Sequence, residues 1–329
     1  MEKSVEVIFS KEILNGFLEC FQVGANVKKL GDFENYVFEV YRGAKPMVLR
    51  ITHSSHRNKD EIKAELDWMN YLYQNGVNCP KIFKSSRGQL IEGMEASDGS
   101  FFYACLYSKV KGMPVKVNSD QFNAQLFHSW GKAIGEMHAV TKDYQPKEGE
   151  KLRPFWHEEE LLEVEQYFPN EPEIIQRKGE LMKELMELPQ NRDNFGLIHS
   201  DIHSGNFFYD GEFVNVFDFD DCSYHWFASD IAIPLYYSIF YGLESASEDE
   251  KNEFAHHFLI HFCKGYEECN TLPEYWQEHL PLFLKLRDIT LFSVFHKKIA
   301  PEDRNERLNL ILNNIRRRII QKEAIVKVK

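Results

Sequence analysis

The sequence contains no CxxC pair, no GxGxxG glycine fingerprint, no internal repeat and no low-complexity tract. Its six cysteines, Cys20, Cys79, Cys105, Cys222, Cys263 and Cys269, are scattered. They read as the reduced thiols of a cytoplasmic protein rather than as a disulfide framework. No apolar run is long enough to cross a bilayer, and the stretch MEKSVEVIFSKEILNGF has no signal-peptide core. Positive charge is also in deficit: Lys plus Arg number 39 against 51 Asp plus Glu, a net charge of -12. That balance excludes nucleic acid or an anionic membrane as the main partner, while permitting a cationic ligand. Apolar residues make up 43% and aromatics 14% of 329 residues. Such a chain has ample core for one large domain or two lobes, and no feature of it specifies an oligomeric state.

Chemistry is concentrated in residues 199–218, HSDIHSGNFFYDGEFVNVFD. Phe207, Phe208 and Tyr209 favour a strand, and Asp210-Gly211 suits a tight turn. Phe213, Val214, Val216 and Phe217 read as the return strand. Antiparallel pairing would bring Asn206 and Asp218 to the open end of this hairpin, with Asp201 in the loop before it. An Asp, an Asn five residues on and a second Asp beyond a strand pair are what metal-assisted phosphoryl transfer requires. One carboxylate holds an acceptor hydroxyl, and two oxygen ligands hold magnesium at the phosphates. A competing reading makes His199, Asp201 and His203 an HxDxH metal site of a hydrolase.

Elsewhere the pattern predicts a helix over 10–22, capped by Ser10, and strands across 36–41 and 47–51 around an Arg42-Gly43 turn. A helix carrying Ile62, Leu66, Met69 and Tyr73 follows and ends at Asn75-Gly76. A strand pair is expected near 81–93, split by Arg87-Gly88, and a third strand runs from Phe101 to Val110. Helices then dominate: 122–140, two or more between 157 and 188, and 231–241. The last helix has Leu308, Ile311, Ile315 and Ile319 on one stripe beside Arg316, Arg317 and Arg318. That stripe is expected to pack on the core rather than on a membrane.

HSDIHSGN (199–206) matches an HxDxxxxN catalytic loop, FDFDD (217–221) a metal-binding segment and SDIA (229–232) a DLA element. GEMHAVT (135–141) is similar to the helix end that precedes them. In this order of parts the chain resembles the aminoglycoside phosphotransferase and choline kinase group of small-molecule kinases. The resemblance implies a two-lobed, protein-kinase-like α+β fold. Residues 1–108 would form a nucleotide-binding lobe, a small antiparallel sheet with a helix. Residues 109–329 would form a larger, mainly helical catalytic and acceptor-binding lobe. It further implies Asp201 as the catalytic Asp, Asn206 and Asp218 as Mg2+ ligands, and His199 and Asp230 as structural supports. Arg50, in strand VLRI, stands where the family carries a basic residue, often Lys, for the nucleotide phosphates, and Glu65 where that residue finds its partner. Residues 28–36, KKLGDFENY, with Gly31, take the place of the phosphate loop. ATP or GTP would lie between the lobes, its base near Tyr107 to Val110.

The acceptor would be a small hydroxylated molecule such as an amino sugar, amino alcohol or amino acid. Tyr224, His225 and Trp226 are candidates to line its pocket, or else core aromatics. Asp220 and Asp221, with Glu244, Glu248, Asp249 and Glu250, either surround a cationic acceptor or are solvated loop charges. Two alternatives share the fold: a catalytically silent nucleotide-binding protein and a Ser/Thr protein kinase. No APE-type activation segment follows Asp218, which favours a small acceptor.

Overall fold

The computed structural model describes residues 2–328. The backbone clusters into two compact units: residues up to Lys111 with Tyr144–Arg153, and Gly112–Asp143 with the chain from Pro154 onward.

In the first unit two helices, α1 (Lys3–Ile8) and α2 (Lys11–Cys20), precede a six-stranded antiparallel sheet. Its strands are β1 (Lys28–Gly31), β2 (Tyr36–Arg42), β3 (Lys45–His53), β4 (Ile82–Phe83), β5 (Glu92–Glu95) and β6 (Phe101–Ser108), with α3 (Lys59–Gln74) between β3 and β4. The order is β1-β2-β3-β6-β4, and β5 also pairs with β6. The expected hairpin over 81–93 is therefore a correction: β4 and β5 do not pair with each other, and each bonds to β6. Between them Ser85 closes a local loop, its amide donating to Gln89 O and its hydroxyl accepting from Arg87 N and Gln89 N. Period-2 alternation decides which residues face in. On one face Met47, Leu49 and Ile51 join Phe17, Leu18, Phe21, Phe38, Phe102 and Leu106 in one buried cluster. The opposite face of β3 presents Arg50 toward α3. That helix is fixed at its start by a capping box in which Asn58 accepts from Glu61 N and Glu61 accepts from Asn58 N.

The second unit contains helices α4 (Ala124–Thr141), α5 (Pro172–Met186), α6 (Phe227–Gly242), α7 (Glu248–Tyr266), α8 (Trp276–Lys298) and α9 (Glu306–Gln321). Two small strand pairs lie among them. One joins β7 (Phe195–Ile198) to β10 (Ser223–Trp226), and the other joins β8 (Phe207–Tyr209) to β9 (Val214–Val216). Of the helices expected over 157–188 only α5 is α-helical; 3-10 turns at Trp156–Glu158, Glu160–Leu162 and Val164–Gln166 replace the rest. Pro172 at the first turn of α5 marks where regular helix begins. The stripe of α9 packs inward through Leu312, Ile315 and Ile319. Arg318 Nε donates to Asp288 Oδ2 at 2.8 Å, and Tyr236 Oη donates to Asp288 Oδ1 at 2.7 Å. Among the described residues no helix is long and apolar enough to cross a membrane.

Helices α4 and α7 approach until backbones touch. A Cβ on Gly131 would lie 1.8 Å from Phe262 O, and one on Gly265 would lie 1.8 Å from His128 O. Gly131→Ala is expected to lower unfolding free energy by about 1–3 kcal/mol or more, because backbone rather than a flexible side chain must move. Chemical denaturation would read it, and an unchanged midpoint would contradict this packing.

Candidate active site

The loop between β7 and β8 is held by a buried carboxylate. Asp230, fully buried on α6, accepts from the amides of His199 and Ser200, each at 2.9 Å. Behind it runs a second chain of bonds. His138 Nε2 lies 3.3 Å from Asp230 Oδ2, its Nδ1 lies 2.9 Å from Tyr266 Oη, and Asn270 Nδ2 donates to that same hydroxyl at 3.1 Å. Burial holds the His138 imidazole below its ordinary pKa, against the pull of Asp230. His199 bonds backbone through both ring nitrogens: Nε2 with Phe217 O at 3.1 Å, Nδ1 with Asp201 N at 3.3 Å. Neither nitrogen remains for a metal, so the HxDxH hydrolase reading falls. Among the described residues no group of three His, Cys, Asp or Glu side chains is arranged to hold a metal ion.

The hairpin places Asn206 and Asp218 at its open end. Phe207 pairs with Val216, and Phe217 N donates to Asn206 O at 2.9 Å, one residue from Asp218. Asn206 Nδ2 donates to Asp201 O at 2.8 Å and to Asp201 Oδ2 at 3.0 Å. Its Oδ1 makes no hydrogen bond among the described residues. Ser200 and Asp218 both have φ of 66°, a left-handed conformation uncommon outside glycine and concentrated at functional sites.

Asp201 Oδ1 accepts from Arg287 Nη2 of α8, and Oδ2 lies 3.4 Å from His203 Nε2. Burial pushes the Asp201 carboxyl pKa up, but Arg287 above all, then His203 and His199, outweigh it and hold it down at about 2. This carboxylate is ionised at neutral pH, suited to accepting a hydrogen bond from a hydroxyl.

In the first unit Arg50 and Glu65 form a buried fork, Nη1 to Oε1 at 2.8 Å and Nη2 to Oε2 at 2.6 Å. The Arg50 guanidinium also lies 5.5 Å from the centre of the Tyr107 ring. Glu61, the nearest alternative partner, is taken by the capping box of α3. Gly31 ends β1 at an irregularity in its pairing with β2, and a Cβ there would meet nothing within 4 Å.

The profile of the phosphotransferase enzyme family matches residues 27–272. The chain belongs to the phosphotransferase enzyme family. It is a small-molecule kinase, which sets aside the silent and protein-kinase alternatives. It is 36% identical over 272 residues to the amicoumacin kinase of Bacillus subtilis (strain 168), covering 82% of this chain and 80% of that protein. A structure of amicoumacin kinase in complex with AMP-PNP, Ca2+ and Ami matches it with TM-score 0.94 at 34% identity, over 100% of this chain and 98% of that one. A microcompartment-associated aminopropanol kinase shares the fold at 19% identity, with TM-score 0.74 over 94% of this chain and 95% of that one. The small antiparallel sheet and helical second unit are thus the protein-kinase-like fold of these phosphotransferases.

The remaining sequence candidates of this kinase differ in burial and in partners. Asp220 is buried and Asp221 exposed. Tyr224 is half-buried on β10, stacked on Phe155 with ring centres 5.1 Å apart. Trp226 is 2% exposed, packs on Trp156, Phe195 and Phe283, and donates its indole N–H to Pro189 O at 2.9 Å; it is a core residue. Three of the loop acids are engaged elsewhere: Glu244 with Arg307, Glu248 with Lys327, and Glu250 in the capping box of α7. Sequence reasoning missed Arg287, Tyr237 and Tyr266. For Arg287 a signal was present: a charged Arg-Asp pair inside the apolar run of α8 must find partners or remain an uncompensated buried charge.

Proposed function

We propose that this kinase moves the γ-phosphoryl group of ATP, or of GTP, to a hydroxyl of a small molecule in the cytoplasm, and that an amicoumacin-type compound is among its acceptors. The observation that carries the proposal is the convergence of Asp201, Asn206 and Asp218 on one loop and hairpin end. Identity of 36% to a named amicoumacin kinase supports the acceptor. Residues 1–108 are proposed as the nucleotide-binding part, with Arg50, Glu65 and the segment around Gly31 serving the phosphates, and 109–329 as the catalytic and acceptor-binding part.

Asn206 and Asp218 offer hard oxygen donors, and the Asn206 amide turns its nitrogen to Asp201, leaving Oδ1 for a cation. That donor set fits Mg2+, with these two residues as its protein ligands. When bound, the ion would neutralise charge on the nucleotide phosphates. Asp201 accepts the acceptor's hydroxyl hydrogen and aligns its oxygen for attack. Asp230 and His199 keep the loop from relaxing around it. Asp220, Asp221 and Tyr224 are proposed to stand near the acceptor. Such a site works by positioning and electrostatics.

The test incubates the full-length protein with ATP or GTP, Mg2+ and amicoumacin, then looks by mass spectrometry for one added phosphoryl group. Chelation with EDTA should abolish the product. Absence of product across a panel of hydroxylated antibiotics and metabolites would refute the proposal. Arg50→Lys keeps the charge but loses the two-pronged contact with Glu65, so nucleotide affinity should fall about tenfold in a titration of ATP.

A further inference from the structure

The Asp201 carboxylate is already engaged on both oxygens. Oδ1 takes Arg287 Nη2, while Oδ2 takes Asn206 Nδ2 at 3.0 Å and faces His203. A hydroxyl donating to this carboxylate therefore arrives beside a guanidinium. Arg287 is anchored for that meeting. Its Nε and Nη2 donate to Tyr237 Oη at 3.1 and 2.7 Å, and its Cζ lies 4.9 Å from the Tyr237 ring centre. Tyr237 in turn stacks on the half-exposed Tyr241 at 5.3 Å and meets the His203 ring at 4.9 Å.

The guanidinium is not used up. Its Nη1 makes no hydrogen bond among the described residues and is open to solvent, and the side chain is 20% exposed. Its charge is permanent: burial works against it, but Tyr237 and Asp201 outweigh burial. Both Nη2 hydrogens are taken, by Asp201 and Tyr237, so Nη1 is the donor left for a ligand; it stands next to Nη2, where an oxygen on the carbon beside the reacting hydroxyl can meet it.

We infer that Arg287 determines acceptor specificity by binding a carbonyl or carboxylate oxygen on the carbon next to the reacting hydroxyl, selecting α-hydroxy carbonyl compounds over amino alcohols. An ammonium in that place meets a fixed positive charge in a partly dry site. Glu244, Glu248 and Glu250 are engaged elsewhere, and the charge of Asp221 is felt by Arg287 itself. The inference rests on Asp201 facing the acceptor, as proposed above.

The test uses two fragments with one skeleton, lactamide and 1-amino-2-propanol, and full-length protein with AMP-PNP and Mg2+. Saturation-transfer NMR reads binding without turnover. Native protein should bind lactamide about tenfold or more tightly than the amine. Arg287→Gln should abolish that preference, and Arg287→Lys, which keeps charge but not the fork, should retain only part of it. Should Arg287→Gln fail to fold by thermal unfolding, Arg287→Lys decides alone. Equal or tighter binding of the amine, an unchanged preference in the variants, or no binding of either fragment would overturn the inference. Transfer to amicoumacin is measured separately, so the kinase proposal can stand while this one falls, and the fragment result stands even where amicoumacin is not the acceptor.

Discussion

Asp201→Ala is expected to reduce phosphoryl transfer by about 10²–10⁴-fold, with nucleotide affinity nearly unchanged. The reason is local. Asp201 is the meeting point of Asn206, His203 and Arg287, and its carboxylate is the group in this cluster able to take a hydroxyl hydrogen. Asp201→Asn separates charge from shape, keeping an oxygen but losing the anion, and should be similarly slow. Single-turnover kinetics beside an ATP titration would check both. A variant that turns over normally would eliminate the assigned role. One that loses nucleotide binding to the same extent would make Asp201 a donor-site residue instead.

The second large effect concerns folding rather than chemistry. Asp230→Ala removes the acceptor of two backbone amides, His199 N and Ser200 N, in a place with no solvent access. Each buried donor left without a partner costs about 1–3 kcal/mol. His138 loses its carboxylate as well. Several kcal/mol is a large share of a typical total stability of about 5–15 kcal/mol. The expected result is a markedly lower thermal midpoint with activity lost in proportion to the unfolded fraction. Asp230→Asn keeps one acceptor oxygen and should recover part of the loss. If Asp230→Ala melts like the native protein, the buried network is not what holds the loop between β7 and β8.

These two residues also show which parts of the site the sequence makes legible. The hairpin was readable because its information is local: Asp210-Gly211 sets the turn, and alternation on either side sets the register that aligns Phe207 with Val216. The strands β2 and β3 and the helix α3 were readable for the same reason. The partners of β4 and β5 were not, because both fit the alternation of a hairpin and their true partner, β6, comes later in the chain. The pairing of Phe195–Ile198 with Ser223–Trp226 went unseen, since four residues are too few to show a period. Arg287 stands 86 positions from Asp201, and Tyr266 stands 128 from His138. Nothing in local pattern ties such pairs; only packing of α8 and α7 against the rest brings them together.

The tie between Arg318 and Asp288 has a bearing on how this protein comes into being. Asp288 is a carboxylate with no exposure, next in sequence to Arg287, and its burial is tolerable only with a cation beside it. During synthesis that cation emerges 30 residues after the carboxylate it neutralises. Helix α8 therefore cannot settle around Asp288 until α9 has left the ribosome, and a chain broken between the two would carry a buried charge with no cation beside it.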